Sequence, residues 1–307
     1  MASSALSALY SLISAKASIT PFPGWHLGSA EEETSTLRKY FWQKLKQNCV
    51  IRWLLDLRIY LYAGNETSRC IFLTGLFEPN EFYMLNKVLK TGDVFFDAGA
   101  NIGLYSIFAS KRVGSKGKVI AVEPSQREYE RLKSHIEMNS LRNIASFSLA
   151  LYKNRSMMEL QIATEDHSGH NTLGSFGYES VQSSGVERVP TDTIDHLVKA
   201  EQLSSLNVLK MDIEGAECFA LQGAESTLDQ HRPIIFIELS DRSLSRQNCS
   251  AKMLLEFLSK KDYVMYLYDE QSGLPTRADF RDSYESQNAI AIPQARLNEF
   301  ETLVYSN

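Results

Sequence analysis

Short apolar runs alternate with helix-length amphipathic segments from residue 91 to the end of the chain. The runs are rich in Val, Ile, Leu and Phe, which is typical of strands that are buried on both faces. Strands that alternate with helices predict an α/β fold, here a doubly wound and mostly parallel sheet. The predicted strands are 94–97, 119–123, 144–150, 208–211, 234–238, 263–268 and 288–292, and the predicted helices are 103–112, 125–138, 215–230 and 250–261.

The region before this alternation has a different pattern. Residues 31–47 begin with three glutamates and end with lysines, an arrangement that the helix dipole favours, so we predict a helix there. Residues 50–62 and 68–75 are rich in β-forming residues and flank Ala63-Gly64-Asn65. Two such runs around a Gly-Asn turn predict a β-hairpin. Apolar residues within 1–20 recur at helical spacing and predict a short amphipathic helix.

Two further divisions of the chain follow from these patterns. Residues 1–75 are interpreted as an N-terminal extension of helix and β-hairpin, and residues 76–307 as the α/β domain. The stretch 151–207 is too long for a simple connection between strands. Its β-rich segments Met158–Ile162 and Val186–Val189 predict a small β excursion inside it.

The composition narrows the class of protein. The chain is 44% hydrophobic and 22% charged, which is usual for a globular domain, and its net charge of −5 argues against nucleic acid as a partner. No apolar run reaches the roughly 20 residues of a transmembrane segment. The four cysteines lie far apart without a CxxC pair. We therefore expect free thiols in a cytoplasmic protein, with neither a zinc site nor a disulfide framework.

The most informative segment is the strand Val94-Phe95-Phe96-Asp97 with the turn that follows it, Ala98-Gly99-Ala100-Asn101-Ile102-Gly103. Glycines in such a turn let the backbone approach a ligand closely, and a helix is predicted to begin at about Gly103. Asn101 stands where the middle glycine of a glycine-rich turn is usual, and Asn tolerates left-handed backbone well. A second strand ends at Glu123, twenty residues after Gly103. An acid at this place can accept hydrogen bonds from both ribose hydroxyls of an adenosine.

The nature of the adenosine ligand depends on Asp97. A pyrophosphate is anionic, so an aspartate at the entrance of the turn would repel it. S-adenosylmethionine instead presents a cationic ammonium and a sulfonium. The spacing Asp-x-Gly-x-Asn-x-Gly therefore favours S-adenosylmethionine over NAD, with the turn at the methionine end and Asp97 near its ammonium. Strand 144–150 ends beside the predicted pocket, so Ala150 and Leu151 are expected to line the adenine.

With these motifs in place, the chain resembles the FkbM family of methyltransferases over about Gly75 to Pro293. The matching blocks are Leu76-Phe77-Glu78-Pro79, Gly92 to Gly103, Val122-Glu123-Pro124, Val189 to Asp195, Leu209-Lys210-Met211-Asp212-Ile213-Glu214-Gly215-Ala216-Glu217 and Ile235-Phe236-Ile237-Glu238. The resemblance implies a seven-stranded, Rossmann-like methyltransferase sheet. It also implies S-adenosylmethionine as methyl donor and O-methylation of hydroxyls, usually on sugars or natural products. Glu78, Pro124 and Asp212 join the expected cofactor contacts through these blocks.

Four side chains are candidates for catalysis. Asp212 and Glu214 follow a predicted strand and Glu238 ends the next one, so all three lie at the carboxyl edge of the sheet, where α/β folds bind ligands. His170 lies in a polar loop, and histidine is the usual base near neutral pH. Helix capping is the structural alternative for Asp212 and Glu214, and an exposed loop is the alternative for His170. Three carboxylates could hold Mg²⁺, but no ligand spacing compels it, so no metal site is assigned.

Several functions remain open at this stage. The expected acceptor is a hydroxyl of a small molecule or glycan. Assembly into a homodimer is a further possibility that the sequence leaves undecided. A non-catalytic S-adenosylmethionine-binding scaffold would keep the turn but lack a competent base. A nicotinamide-dependent oxidoreductase would share the turn and the ribose acid. An amino-group or nucleic-acid methyltransferase is a weaker hypothesis, because the Asn/Asp-Pro-Pro-Tyr/Phe motif is absent where Asp212-Ile213-Glu214-Gly215 stands.

Overall fold

The computed structural model describes Tyr10 and residues 13–22, 36–279 and 281–305. Thirteen strands occur in this part of the chain, in three sheets. They are β1 (Cys49–Arg52), β2 (Arg58–Leu61), β3 (Val94–Ala98), β4 (Lys118–Val122), β5 (Ile144–Phe147), β6 (Ala150–Leu151), β7 (Ser156–Ala163), β8 (Ser183–Asp192), β9 (Val208–Met211), β10 (Ile234–Leu239), β11 (Tyr263–Tyr268), β12 (Pro275–Arg277) and β13 (Gln287–Pro293).

The α-helices of the described part lie between these strands and at both ends. They are α1 (Thr36–Lys44), α2 (Glu66–Thr74), α3 (Pro79–Val88), α4 (Leu104–Val113), α5 (Gln126–Met138), α6 (Ile194–Ala200), α7 (Glu217–Gln222), α8 (Glu225–His231), α9 (Asp241–Leu244), α10 (Ala251–Lys260) and α11 (Leu297–Tyr305). Among the described residues, no helix is both long enough and apolar enough to cross a lipid bilayer.

The central sheet has the strand order β12-β11-β13-β10-β9-β3-β4-β5. Strands β10, β9, β3, β4 and β5 pair in parallel, and β13 pairs antiparallel with both β10 and β11. Each of the seven predicted strands contributes a strand to this sheet, and β12 adds an eighth at its edge. The antiparallel β13 is inserted between β10 and β11, which distinguishes the sheet from the 3-2-1-4-5-6 order of dinucleotide-binding folds.

Both faces of the sheet are covered, as the doubly wound prediction requires. Side chains alternate between the faces along each strand. On β3, Phe95 packs with Ile107 and Phe108 of α4 in one apolar cluster. Phe96 packs on the other face with Leu221 of α7 and Leu254 of α10. All six of these side chains are almost completely buried, so the sheet is the shared wall of two cores.

The N-terminal elements differ from the prediction. The two-stranded sheet is β1 with β2, and residues 66–74 form helix α2 instead of a strand, so the predicted hairpin arm 68–75 is wrong. Asn65 caps this helix by accepting a hydrogen bond from the Ser68 N–H, and Gly75 ends it in left-handed conformation. The β-forming residues of α2 are apolar side chains that pack into the core of the protein, where Phe72 is fully buried.

The division at residue 75 stays a prediction. Ile59 of β2 and Phe72 of α2 lie in the same apolar cluster as Phe95 of the central sheet. Helix α1 confirms the predicted helix over the described residues from Thr36 onward. The predicted amphipathic helix within 1–20 falls largely outside the described residues.

Three other predictions are refined or corrected. The predicted strand 144–150 is divided, because β5 belongs to the central sheet and β6 to the three-stranded sheet β6-β8-β7. That small sheet is the β excursion predicted within 151–207. The predicted helix 215–230 is two helices, α7 and α8, separated by Gly223-Ala224.

The cysteines also require a correction. Cys218 and Cys249 form a disulfide across 31 positions, whereas the sequence predicted free thiols throughout. The two cysteines face each other only because α7 and the segment before α10 pack together, a contact that spacing does not reveal. Cys49 and Cys70 are free and buried.

The disulfide generates a test. Closing a loop of this length stabilises a fold by about 3–4 kcal/mol through the entropy of the unfolded chain. We expect Cys249→Ser to lower the free energy of unfolding by that order, measured by urea denaturation. The wild type in dithiothreitol should match the variant. Four reactive thiols in the denatured, non-reduced wild type would contradict the disulfide.

Candidate active site

The candidate site follows from the register of the parallel strands. Ala98 pairs with Val122 of β4 and with Met211 of β9. Met211 pairs in turn with Ile237 of β10. The residues that come next on these strands form one row along the carboxyl edge of the sheet, namely Glu123, Gly99, Asp212 and Glu238.

The same row continues onto the antiparallel strands. Glu238 of β10 is the register partner of Asn288 of β13. Leu267 of β11 pairs with Ala289, so the next residue, Tyr268, lies beside Asn288. The edge of the sheet therefore carries polar side chains from β4 to β11.

The turn after β3 has the backbone that its sequence predicts. Gly99, Asn101 and Gly103 have φ values of +78°, +49° and +89°, all in the left-handed region. A Cβ on Gly99 would lie 1.9 Å from the carbonyl oxygen of Asp212. Glycine is therefore required where the turn crosses β9. Helix α4 begins directly after Gly103, as predicted.

Glu123 is held by the turn that it faces. Its carboxylate accepts hydrogen bonds from the backbone N–H of Asn101 at 2.8 Å and of Ser125 at 2.9 Å. Burial, with the neighbouring Glu128 charge, raises the pKa of Glu123 to about 8 against these two hydrogen bonds. Each carboxylate oxygen has one protein donor, so each retains capacity for a donor from a ligand.

Asp97 lies beneath the cavity and does not line it. Its carboxylate is fully buried and accepts a hydrogen bond from the Ser106 hydroxyl at 2.6 Å. Lys210 Nζ lies 3.8 Å from Asp97 and 3.5 Å from Asp212. Burial disfavours the charge on Lys210, but Asp212 and Asp97 outweigh it and raise the pKa of the ammonium. Lys210 thus pairs with both acids, and its charge balances part of theirs.

A second polar group joins helix α3 to the far side of the sheet. Glu78 accepts hydrogen bonds from the Tyr105 hydroxyl at 2.7 Å and from the Asn288 side chain at 2.9 Å. Asn288 also donates to Glu81 at 3.0 Å. Glu78 has a left-handed backbone, with φ at +53°, immediately before the first proline of α3. This strained conformation directs its carboxyl group into the cavity.

His170 and Glu214 form a pair on the opposite wall. His170 Nδ1 lies 3.0 Å from Glu214 Oε1, and the Ser243 hydroxyl donates to Glu214 Oε2 at 3.3 Å. Burial alone would lower the pKa of His170, but the hydrogen bond and charge of Glu214 raise it. With Nδ1 bonded to the carboxylate, Nε2 is the nitrogen available to accept a proton.

A buried carboxylate holds the conformation of the loop between β9 and α7. Glu217 accepts hydrogen bonds from the backbone N–H of Ile213 at 2.9 Å and of Gly215 at 3.0 Å. Burial, with the charges of Asp212 and Glu214, raises the pKa of Glu217 to about 8 against the hydrogen bonds from the backbone. Glu217 therefore fixes the loop that presents Asp212 and Glu214.

Within the part of the chain that the structure describes, two groups of residues could hold a cation. Asp212, Glu214 and Glu238 each offer a carboxylate oxygen, and these atoms lie within 4.8 Å of one another. Glu66, His167 and His170 form a second group with the same spread. Glu238 is otherwise bonded to the Ser286 hydroxyl at 2.6 Å.

Glu78, Glu123, Lys210, Asp212, Glu214, His170 and Glu238 line one cavity of about 690 Å³, whereas Asp97 and Glu217 do not. This volume is typical of cofactor and small-molecule sites. Of the residues expected at the cofactor, the cavity brings together Glu78, Gly99, Asn101, Glu123, Pro124, Ala150, Leu151 and Asp212. The four catalytic candidates Asp212, Glu214, His170 and Glu238 also line it. Gly103 supports the turn from outside, with its Cα hydrogens facing Leu132.

Sequence reasoning missed several lining residues. Glu81, Tyr105, Tyr268 and Asn288 contribute polar groups to the cavity. Tyr105 lies in the first turn of α4, so its proximity to the ligand turn was a usable signal. Glu81 lies one helical turn after the predicted Glu78, which was also a usable signal. Tyr268 and Asn288 reach the site only through the insertion of β13, for which no local motif exists.

The sheet and the glycine turn together define a class of protein. The sheet has an antiparallel strand that dinucleotide-binding folds lack. The glycine turn lies at its switch point between β3 and β9, and Glu123 stands where such folds place the acid that binds ribose. This combination is that of methyltransferases with an α/β fold.

Comparison with known proteins gives the family. The methyltransferase FkbM domain matches residues 97–265, more than half of the chain. The chain therefore belongs to the FkbM methyltransferase family, which confirms the resemblance found in the sequence.

Curated relatives are distant. Hexuronic acid methyltransferase AglP of Haloferax volcanii is 27% identical over 151 residues, which cover 49% of this chain and 58% of AglP. Methyltransferase 1 of Beauveria bassiana is 24% identical over 178 residues, 52% of this chain and 69% of that protein. Among solved structures, the methyltransferase FkbM from Methylobacillus flagellatus aligns with a TM-score of 0.41 at 17% identity, covering 74% of this chain and 54% of that one.

Glu217 allows a test of how the loop between β9 and α7 is held. Its pKa in the folded protein, about 8, lies above the usual value, so its contribution to stability is greatest at low pH and falls as pH rises toward 8. We expect Glu217→Gln to destabilise the protein below pH 5. The difference from wild type should then shrink by at most about 1.4 kcal/mol per pH unit up to pH 8. Urea unfolding at several pH values measures it, and a constant difference would contradict the buried carboxyl.

Proposed function

We propose that this chain transfers the methyl group of S-adenosylmethionine to a hydroxyl of a sugar, glycan or other natural product. The observation that carries the proposal is the single row of the sheet that places Glu123, Gly99, Asp212 and Glu238 along one cavity. Glu123, the acid proposed to bind the ribose of the adenosine, lies at one end of this row. Asp212 and Glu238, the acids proposed to face the acceptor, lie toward the other end. The FkbM family membership supports the methyl donor.

The residues present fit the cofactor. Glu123 has free hydrogen-bonding capacity on both oxygens, which suits the two ribose hydroxyls. Leu149, Ala150 and Leu151 form an apolar wall beside it for the adenine. Asp212, whose carbonyl oxygen lies against Gly99 of the glycine turn, is the cavity acid that would face the ammonium. When bound, S-adenosylmethionine supplies a methyl group made electrophilic by the sulfonium.

Asp97 takes a different part in this proposal from the one its sequence position indicated. It does not line the cavity, so its effect on the cofactor is indirect. Its negative charge holds Lys210 in place, and Lys210 in turn orients Asp212. Asp97 is therefore proposed as a positioning residue for the acid beside the ammonium.

The acceptor side has a suitable base. Glu214 fixes the tautomer of His170 by binding Nδ1, so that Nε2 can remove the proton of an acceptor hydroxyl. The carboxylate stabilises the imidazolium that forms, as an orienting acid does in other His–acid pairs. Glu238 and Asp212 are proposed to orient the acceptor. This pair favours an enzyme over a non-catalytic binding scaffold.

The affinity for S-adenosylhomocysteine should depend on pH through Glu123. Its pKa of about 8 means that the carboxyl must lose a proton to accept both ribose hydroxyls. We expect binding to be roughly 25-fold tighter at pH 8.5 than at pH 6.5, because the deprotonated fraction of a carboxyl with a pKa of about 8 rises from about 3% to about 76% over this range. Titration calorimetry measures this dependence.

The Glu123→Gln variant is the control, with weak binding that does not change with pH. A folded wild type that binds NADH but not S-adenosylhomocysteine would overturn the proposal in favour of an oxidoreductase.

Replacing His170 should affect the rate and not cofactor binding. General-base catalysis contributes about 10²- to 10⁴-fold, so His170→Ala is expected to lower kcat by at least about 100-fold. Transfer of labelled methyl to acceptors found in a screen of hydroxylated compounds measures it. The affinity for S-adenosylhomocysteine should stay within about twofold of wild type if His170 touches only the acceptor.

His196→Ala is the matched control, because His196 Nδ1 also bonds a carboxylate, Asp192, at 2.9 Å but lies outside the cavity. If EDTA abolishes the activity and added Mg²⁺ restores it, the proposal that His170 acts as the base without a metal ion is contradicted. It would assign proton removal to a cation at Asp212, Glu214 and Glu238.

A further inference from the structure

One end of the cavity lies apart from the proposed cofactor site and from the His170–Glu214 pair. It is lined by Glu81, Tyr268, Glu270 and Asn288, at the side of the sheet where β13 and β11 lie. Two polar atoms in this end have no hydrogen-bond partner and are shielded from solvent, Glu81 Oε2 and the Tyr268 hydroxyl. Glu81 as a whole is only 8% exposed. Buried polar atoms of this kind are costly unless a ligand satisfies them.

The charge of the cavity indicates the kind of ligand. Its described lining carries eight carboxylates, those of Glu66, Glu78, Glu81, Glu123, Asp212, Glu214, Glu238 and Glu270. Lys210 is the one lysine or arginine among these lining residues, and it is already paired with Asp212 and Asp97. A ligand that brings positive charge lowers the cost of burying these acids, and an anionic ligand raises it.

Hydrogen bonding narrows the class further. Asn288 donates to both Glu78 and Glu81, so two carboxyl groups share one amide donor. A protonated amine carries three donors, enough for Glu81 Oε2, the Tyr268 oxygen and one more acceptor. Burial and the Glu78 carboxyl raise the pKa of Glu81 to about 8, which is the response of an acid that lacks a cation.

The cofactor cannot supply this group from its proposed position. Four strand spacings of about 4.8 Å separate β4 from β13, so Asn288 lies about 19 Å along the edge from Glu123. About eight bonds separate a ribose hydroxyl from the ammonium of S-adenosylmethionine, an extended reach of about 10 Å. That ammonium therefore reaches β9, two strands from β4, and not β13.

We propose that Glu81 and Tyr268 form an ammonium-binding subsite for the acceptor, which is a hydroxylated amine such as an amino sugar. This inference rests on the proposed function, because it takes the cofactor to lie over β4, β3 and β9. Glu81 binds the amine by charge and Tyr268 accepts one of its hydrogens. The acceptor hydroxyl then lies between this subsite and His170, over Asp212 and Glu238.

The test uses three sugars that differ in charge. D-glucosamine, N-acetyl-D-glucosamine and D-glucuronate are titrated by calorimetry at pH 7 into the protein alone and into the protein saturated with S-adenosylhomocysteine. D-glucosamine is expected to bind at least tenfold more tightly than the other two. Glu81→Gln should abolish this preference, and Tyr268→Phe should reduce it about threefold. Both variants should bind S-adenosylhomocysteine within twofold of wild type.

The matched control is Glu301→Gln, since Glu301 also lies next to a tyrosine, accepting from the Tyr266 hydroxyl at 2.7 Å, but outside the cavity. It should keep the full preference. Equal binding of the three sugars, or no measurable binding of D-glucosamine, overturns the subsite. Weaker S-adenosylhomocysteine binding by Glu81→Gln with the sugar preference intact overturns it as well, because the ammonium is then the cofactor's.

The proposed function fails separately. If wild type binds no S-adenosylhomocysteine, the methyl-donor assignment is lost, while the titrations into the protein alone still decide the ammonium subsite.

Discussion

The parallel pairing of β3 with β4 and β9 determines almost everything else in the site. Because Ala98 is the register partner of both Val122 and Met211, the next residue on each strand arrives at the same height of the sheet. A shift of one residue would turn Glu123 or Asp212 to the opposite face. Register is strongly specified here because both faces of β3 are buried. The apolar core thus sets the alignment of polar residues that take no part in it.

The row of acids concentrates negative charge where water is scarce. Lys210 compensates part of it, and hydrogen bonds from backbone N–H groups compensate more at Glu123 and Glu217. The remainder appears as raised pKa values of Glu81, Glu123 and Glu217. Such an arrangement is favourable for a methyltransferase because the donor is a cation. The cost of assembling the acids is offset when the sulfonium compound binds.

Sequence reasoning succeeded where the chemistry is local and failed where it depends on distant pairing. The glycine turn, Glu123, Asp212 and Glu238 all follow buried strands, so their place at the sheet edge could be derived from hydrophobic pattern alone. The sequence predicts a strand where helix α2 lies, because Ile71 and Phe72 are apolar residues that also form strands; here they are buried on a helix. The capping residues Asn65 and Gly75, which mark the two ends of the helix, do not enter that prediction. The Cys218–Cys249 disulfide and the contacts of Asn288 join segments far apart in sequence, and no spacing rule predicts them.

The insertion of β13 between β10 and β11 has a consequence for the order of assembly. Strand β11 is made first but has no neighbour in the sheet except β12 until β13 arrives. Asn288, which links the two glutamates of α3, comes 207 positions after Glu81. Because synthesis proceeds from the N-terminus, the strands that carry Gly99, Glu123 and Asp212 are made long before β13. The wall formed by β11 and β13 is therefore the last part of the described cavity that can form.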